Sequence, residues 1–235
     1  MTIQDTTSPS SARALDVMPL PGAGRVLAVT ARPGQEAADL GGLLFAFRRA
    51  GASLSLLCLT RGENAAGQGG NTRLQAARPW EVQMAASILG IRQVSVACFR
   101  DGGLHHYRTD DVAERIKQAA AECSADVILV VAPETGDIAD AAASRAAIAA
   151  ALQAGMPVVA RTRAGVAGSW PLDLGIDAGT ARAIQRAAAA AHASQAEALP
   201  ALIDQLDELG PLESVRWLVS PARVPVQRDT SPLGL

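Results

Sequence analysis

The fold is decided by residues 25–42, which read RVLAVTARPGQEAADLGG. The first seven residues, RVLAVTA at 25–31, form a short β-rich run, which is typical of a buried strand. The residues that follow, 35–50, place apolar side chains at helical spacing, and Gly51 ends that pattern. The apolar positions are Leu40, Leu43, Leu44 and Phe47. A buried strand followed at once by a helix is the beginning of an α/β unit.

The same alternation continues along the chain. Further strands are predicted at 53–60, 94–99, 126–132, 157–161 and 215–219, and helices at 74–89, 112–123, 138–154 and 180–209, the last with a break at Pro200. Residues 164–179 resemble a loop with room for one short strand. This order predicts an α/β fold, a Rossmann-like doubly wound, mostly parallel sheet with helices on both faces. The loops after Thr30, Thr60, Phe99 and Ala132 should then surround one crevice at the carboxyl ends of the strands.

A single domain, residues 24–220, contains all of these elements. The chain has 235 residues, of which 49% are hydrophobic, so it can bury a sizeable core. Residues 1–23 are rich in Ser and Thr and close with Pro and Gly, which predicts a flexible leader. The Pro-rich residues 221–235 are predicted to be a loose tail.

Charge and cysteine content exclude several classes of protein. Lys and Arg number 21 against 23 Asp and Glu, so there is no basic footprint and nucleic acid is not an expected partner. No apolar run is long enough for a membrane span, and the N-terminus does not resemble a secretory signal. Cys58, Cys98 and Cys123 are far apart and have no zinc-site spacing. These features predict a cytoplasmic protein with reduced thiols.

The predicted crevice loops carry no nucleotide-binding fingerprint, since the strand–helix junctions hold neither GxGxxG nor GxxxxGK[ST]. They carry a series of short motifs instead. In chain order these are ARPGQE at 31–36 with GG at 41–42, LTRGE at 59–63, RPWE at 78–81 with Ala85 and LG at 89–90, DGGL at 101–104 and AHASQ at 191–195.

This series resembles the PIG-L/LmbE family of zinc-dependent N-deacetylases and amidases. Members of that family carry AHPDDE…GG, LTxGE, RxxE…A…LG, DGxL, HxDH and AHxSQ in this order. The resemblance covers about residues 25–218. It implies a small polar partner molecule, such as an amino sugar, a thiol–sugar conjugate or an acylated metabolite. It also implies a homo-oligomer, or pairing with an active paralogue.

The resemblance breaks down at the metal positions. In the family, zinc is bound by the His and second Asp of AHPDDE and the last His of HxDH. These positions hold Arg32, Gln35 and Ala141 here. Gly34 replaces the general base, and Ile138 replaces the His that stabilises the oxyanion. A guanidinium remains protonated, alanine has no donor atom, and a carboxamide is a weak neutral ligand. No zinc or other cofactor is therefore expected, and a pseudoenzyme that binds a ligand or a partner is the leading hypothesis.

Other polar residues of the motifs are retained or lie close to them. The ligand-binding candidates are Arg32, Glu36, Arg78, Glu81, Asp101, Gly102, Asp140 and His192. Arg32 places a positive charge where the family binds its metal, and it could pair with Glu36, Asp101 or Asp140 or hold an anionic ligand. Arg78 and Glu81 are either an ion pair across one helical turn or part of the substrate pocket. His192 precedes Ser194 and Gln195, which favours a structural role.

Two alternatives to the pseudoenzyme remain open. The first is a diverged amide hydrolase with a relocated or metal-free site, in which His105 or His106 acts with Asp101 as a general acid or base. The two histidines could equally belong to a solvated loop, and as neighbours they are expected to point in opposite directions. The second alternative is a structural subunit in an assembly with an active homologue.

Overall fold

The computed structural model describes residues 24–64, 72–162, 176–177, 181–209 and 212–221. The predicted leader, all but the first residue of the predicted tail, and the predicted loop at 164–179 apart from 176–177 lie outside this part of the chain. No helix in the described part is long and apolar enough to cross a membrane.

A mostly parallel sheet forms the centre of the domain. Its strands are β1 (Arg25–Thr30), β2 (Ser53–Thr60), β3 (Gln93–Phe99), β4 (Val127–Val131), β5 (Val158–Thr162), β6 (Ile176–Asp177) and β7 (Leu212–Val219). They lie in the order β3-β2-β1-β4-β5-β7-β6. The first five strands pair in parallel, while β7 runs antiparallel to both β5 and the two-residue β6. The predicted fold class is confirmed.

Helices cover both faces of the sheet. They are α1 (Gln35–Ala38), α2 (Gly41–Arg49), α3 (Thr72–Leu89), α4 (Thr109–Glu122), α5 (Ile138–Ala154), α6 (Arg182–Ala190) and α7 (Leu199–Glu208). Successive side chains of a strand point to opposite faces. Along β1, Val26 therefore packs into the core beneath α2, α3 and α6, and Leu27 packs into the core beneath α4 and α5.

Two predicted helices are each divided into two in the structure, at places that the sequence pattern did not indicate. The helix expected at 35–50 is interrupted between α1 and α2, because the amides of Asp39 and Leu40 both donate to the carbonyl of Gln35. The helix expected at 180–209 breaks at 191–198, before Pro200 rather than at it. Pro200 lies in the first turn of α7, where its missing N–H interrupts no helical hydrogen bond.

The sheet order places a topological switch point beside β1. The chain moves from β1 outward to β2 and β3 and then crosses back to β4 on the other side of β1. In open α/β sheets a crevice forms at the carboxyl ends of the two strands that flank such a point. The loops that carry ARPGQE and residues 132–141 follow β1 and β4, so both reach this crevice.

Candidate functional site

A cleft of about 420 Å³ opens at the carboxyl edge of the sheet. We call it the site cleft. Its walls come from the loops after β1, β2, β3 and β4, together with Arg78 of α3 and Gln195. Its volume is in the range usual for small-molecule sites. Four of the candidate ligand-binding residues line it, namely Arg32, Arg78, Asp101 and Gly102.

Both polar atoms of the Gln35 side chain are hydrogen-bonded inside the protein. Its Oε1 accepts hydrogen bonds from the backbone N–H of Ala31 (2.9 Å) and of Arg32 (3.2 Å). Its Nε2 donates to Oδ1 of Asp140 at 2.7 Å. Burial raises the pKa of the Asp140 carboxyl above its ordinary value, although the N–H of Gln35 opposes that shift. Both side chains are buried, and Gln35 holds the backbone of the first loop through its two hydrogen bonds to Ala31 and Arg32.

Arg32 forms an ion pair with Asp137, whose Oδ2 lies 2.7 Å from Nη1 of the guanidinium. Asp137 is the N-cap of α5, and its Oδ1 accepts the backbone N–H of Ala139 (2.8 Å) and of Asp140 (3.2 Å). Burial favours the neutral form of Asp137, but Arg32 and these two amides outweigh it and lower the pKa of the carboxyl. Burial likewise opposes the charge of Arg32, yet Asp137 raises the guanidinium pKa.

The partner of Arg32 differs from the expectation. Glu36, Asp101 and Asp140 were the expected carboxylates, and each of them is engaged elsewhere, with His192, the amide of Asn64 and Gln35 respectively. Sequence reasoning missed Asp137. The signal was present, because an Asp directly before a predicted helix is a preferred N-cap.

Replacing Asp137 by Asn is expected to lower the free energy of unfolding by about 0.5–1 kcal/mol at pH 7. Asn still caps α5, so the change isolates the ion pair, which is partly exposed at both side chains. Because the folded-state pKa of Asp137 is lowered, its contribution is complete above the unfolded carboxyl pKa of about 3.9 and is lost as the pH falls through the folded value. Thermal unfolding at pH 7 and pH 3 measures this. A wild-type advantage that is equal at both pH values would contradict it.

Glu36 and His192 form a buried pair beneath the first loop. Oε1 of Glu36 lies 2.5 Å from Nε2 of His192, and both side chains are almost completely buried. Oε2 of Glu36 accepts the backbone N–H of Gly34 at 2.9 Å. Neither side chain lines the site cleft. The pair therefore attaches the first loop to the segment that begins at His192.

Arg78 and Glu81 are joined through Ser194 rather than directly. Nε of Arg78 donates to Oγ of Ser194 at 3.2 Å, and a second N–H of Arg78 donates to the carbonyl of Gly62. Glu81 accepts the backbone N–H of Ser194 at 2.7 Å and its hydroxyl at 2.6 Å. This network connects α3 with the loop after β2 and with the short turn Ala193–Gln195.

Asp101 and Gly102 form a tight turn after β3. The Asp101 carboxylate accepts the hydroxyl of Thr60 at 3.4 Å and the backbone N–H of Asn64 at 3.0 Å. Gly102 has φ +72°, and a Cβ there would lie 3.0 Å from Nδ2 of Asn64. The positive φ favours glycine at this position, and a larger residue would also require Asn64 to shift. Asn64, which sequence reasoning did not single out, also lines the cleft.

His105 and His106 do not line the site cleft. They lie in the 3₁₀ turn Leu104–His106, which places their ring centroids 3.8 Å apart. The expectation that they point in opposite directions is therefore wrong, because that expectation assumed an extended or irregular segment. Their position gives no support to an acid–base role with Asp101.

The positions assigned to the family's metal ligands do not fit zinc. Arg32 offers only N–H donors, and both polar atoms of the Gln35 carboxamide are already hydrogen-bonded. Ala141 offers a methyl group in the first turn of α5. Among the described residues, no group of three or more His, Cys, Asp and Glu side chains is arranged to hold a metal ion.

The fold and the site cleft define a doubly wound α/β protein with a ligand-sized crevice at its switch point. The family described as PIG-L, GlcNAc-PI de-N-acetylase, matches residues 27–152, and the chain belongs to this family. A search among curated proteins found no match.

Solved structures of the same fold come from several organisms. GalB, the 4-carboxy-2-hydroxymuconate hydratase of Pseudomonas putida, is 17% identical over 83% of this chain and 96% of its own, with a TM-score of 0.69. A conserved protein of Thermus thermophilus is 22% identical over 86% and 98%, with a TM-score of 0.63. The N,N'-diacetylchitobiose deacetylase of Pyrococcus horikoshii is 15% identical over 87% and 88%, with a TM-score of 0.66. At these identities the similarity shows the fold alone.

Proposed function

We propose that this protein is a PIG-L family member without hydrolytic activity, a pseudoenzyme that binds a small polar molecule of the amino-sugar or acyl-amide type in the site cleft. One observation carries the proposal. Two of the three positions that the family resemblance assigns to metal ligands hold Arg32 and Gln35, whose side chains contact Asp137 and Asp140 instead.

Zinc-dependent amide hydrolysis needs a metal that lowers the pKa of water from about 15.7 to near 7, and a base that takes the proton. The side chains here supply neither. Gly34, at the base position, has φ +97°, and a Cβ there would lie 3.1 Å from Oε1 of Gln195. The backbone conformation and the neighbouring Gln195 therefore both disfavour a side chain at that position.

The cleft nevertheless keeps groups that can bind a polar molecule. Arg32 is about 40% exposed, and the cleft also contains the side chains of Asn64, Asp101 and Gln195. Guanidinium, carboxamide and carboxylate groups together can hydrogen-bond the hydroxyl and amide groups of a sugar. The fold itself does not demand amide hydrolysis, since GalB, which shares it, is named a hydratase.

The diverged hydrolase is less well supported. It requires His105 or His106 beside the bound substrate, and neither residue lines the cleft. We therefore take ligand binding without hydrolysis as the conclusion.

The first test is the zinc content of protein purified without chelator, measured by elemental analysis before and after zinc is added back. Near zero zinc per chain, and no acetate released from N-acetylglucosamine, is expected. About one zinc per chain, or steady acetate release, would overturn the proposal.

The second arm of this test is binding of N-acetylglucosamine by calorimetry. Arg32→Ala should weaken binding about tenfold or more, because it removes a charged hydrogen-bond donor from the cleft. Arg49→Ala is the matched control. Arg49 is exposed at the end of α2, and it lines neither the site cleft nor the adjoining cleft that contains Leu199 and Leu202. Equal affinity of the wild type and Arg32→Ala for N-acetylglucosamine would show that Arg32 does not bind this molecule in the site cleft.

A further inference from the structure

A second cleft, of about 340 Å³, lies on the other side of the first loop, between α1, α6 and α7. We call it the side cleft. Arg32, Pro33 and Gln195 line both clefts, so the two adjoin. Nε2 of Gln195 donates to the carbonyl of Pro33 at 3.2 Å, and this hydrogen bond forms the rim between them.

The surface of the side cleft is mainly apolar away from that rim. The apolar residues are Ala38, Ala189, Ala198, Leu199, Ala201 and Leu202. Leu199 and Leu202 are only half-buried, so an apolar group of a ligand in this cleft would bury more of their surface and bind favourably. The volume is again in the range of small-molecule sites, which are usually lined by apolar side chains with a few polar groups.

Three of the polar residues that line the side cleft, Gln35, Asp39 and His192, contact other polar side chains of the protein. Gln35 bonds to Asp140, and His192 lies against Glu36. Asp39 is 3.6 Å from Nη1 of Arg161. Among the described residues, Nδ1 of His192 is buried without a hydrogen-bond partner, so the polar lining of this cleft is not completely satisfied.

We propose that the side cleft binds an apolar arm of the molecule whose polar part occupies the site cleft. The ligand class is then an amphipathic small molecule, such as an amino sugar with an acyl chain of several carbons. This inference rests on the proposed function. Arg32 stands at the junction of the two clefts, and its guanidinium has several N–H donors beyond the one directed at Asp137. It is suited to hydrogen-bond the amide carbonyl that would join the two parts of such a ligand.

The experiment measures affinity for glucosamine derivatives with N-linked acyl chains of two, four, six and eight carbons, by calorimetry. For the wild type, each added methylene that enters the cleft should raise affinity by up to about fourfold. Ala201→Leu fills the side cleft, and on this variant the eight-carbon probe should bind little better than the two-carbon probe. Ala198→Leu provides an independent filling variant should Ala201→Leu fail to fold, as judged by its thermal unfolding. Ala187→Leu, at an exposed position of α6, is the matched control and should keep the full chain-length dependence.

Each outcome decides between the two proposals. Equal affinity for all four probes on the wild type would overturn the apolar-arm inference and leave the proposed function standing. A chain-length dependence that persists in both filling variants would place the arm elsewhere and also overturn the inference. Binding of the long probes without detectable binding of the two-carbon probe would support the apolar-arm inference. The same result would contradict the proposed function, in which the site cleft binds the sugar without an apolar arm. No binding of any probe would overturn both.

Discussion

His192→Ala is expected to lower the free energy of unfolding by about 3 kcal/mol. The substitution leaves Oε1 of Glu36 without its partner in a place where the carboxylate has no exposed surface. A buried charge that loses its partner cannot regain the hydration it gave up on folding. For a domain of this size the loss corresponds to a fall in Tm of about 6–12 °C.

His106→Ala is the matched control, because His106 is exposed and carries the same side chain. It should change stability by no more than about 0.5 kcal/mol. The double variant Glu36→Ala/His192→Ala should lose less free energy of unfolding than the sum of the losses of Glu36→Ala and His192→Ala. In the double variant neither residue is left buried without its partner. Chemical denaturation of the wild type, Glu36→Ala, His192→Ala and the double variant measures this coupling. A His192→Ala protein as stable as the wild type, or strict additivity, would show that the pair is not an interacting unit.

The sequence predicts most of the fold because its signals are local. Strand β2 is a mainly apolar run, interrupted only by Ser55, with polar ends, and α5 lies between an N-cap at Asp137 and Gly155, whose φ is +69°. Both elements could be placed to the residue. The break between α1 and α2 could not, because the same apolar spacing continues across it. The carbonyls of Ala37 and Ala38 at that break accept hydrogen bonds from Nε2 of Gln185, which is almost 150 residues away in the chain.

In the candidate site, too, some features could be predicted from the sequence, and others depend on contacts between distant segments. The parallel topology alone brings the loops after four strands to one edge, so Arg32, Asp101 and Gly102 could be predicted to lie near each other. The sequence marks Asp137 as the N-cap of a helix, but that signal alone does not decide which of the four acids on neighbouring segments pairs with Arg32. Asp137 is selected because the two helix amides that it caps hold its carboxylate in place.

Restoring the three family positions in one chain, as Arg32→His, Gln35→Asp and Ala141→His, is expected to convert a protein without zinc into one that binds about one zinc per chain. The three new side chains supply two imidazoles and a carboxylate, which leave a fourth position for water. Without zinc the variant should be about 2–3 kcal/mol less stable than the wild type. Asp at position 35 cannot donate to Oδ1 of Asp140, which receives the Gln35 N–H in the wild type, and it brings a second carboxylate towards it.

Zinc should reverse this loss, because a metal that binds only the folded state stabilises it by about 2.7 kcal/mol at one hundred times its dissociation constant. The measurement is elemental analysis together with thermal unfolding at increasing zinc concentration. Arg32→His/Gln35→Asp, which retains Ala141, is the matched control and should bind zinc far more weakly. Gly34 is unchanged in both variants, so neither should hydrolyse N-acetylglucosamine efficiently even when loaded with zinc. A triple variant that takes up no more zinc than the wild type would show that Arg32, Gln35 and Ala141 do not stand at one metal position, and the alignment behind the pseudoenzyme proposal would fail with it.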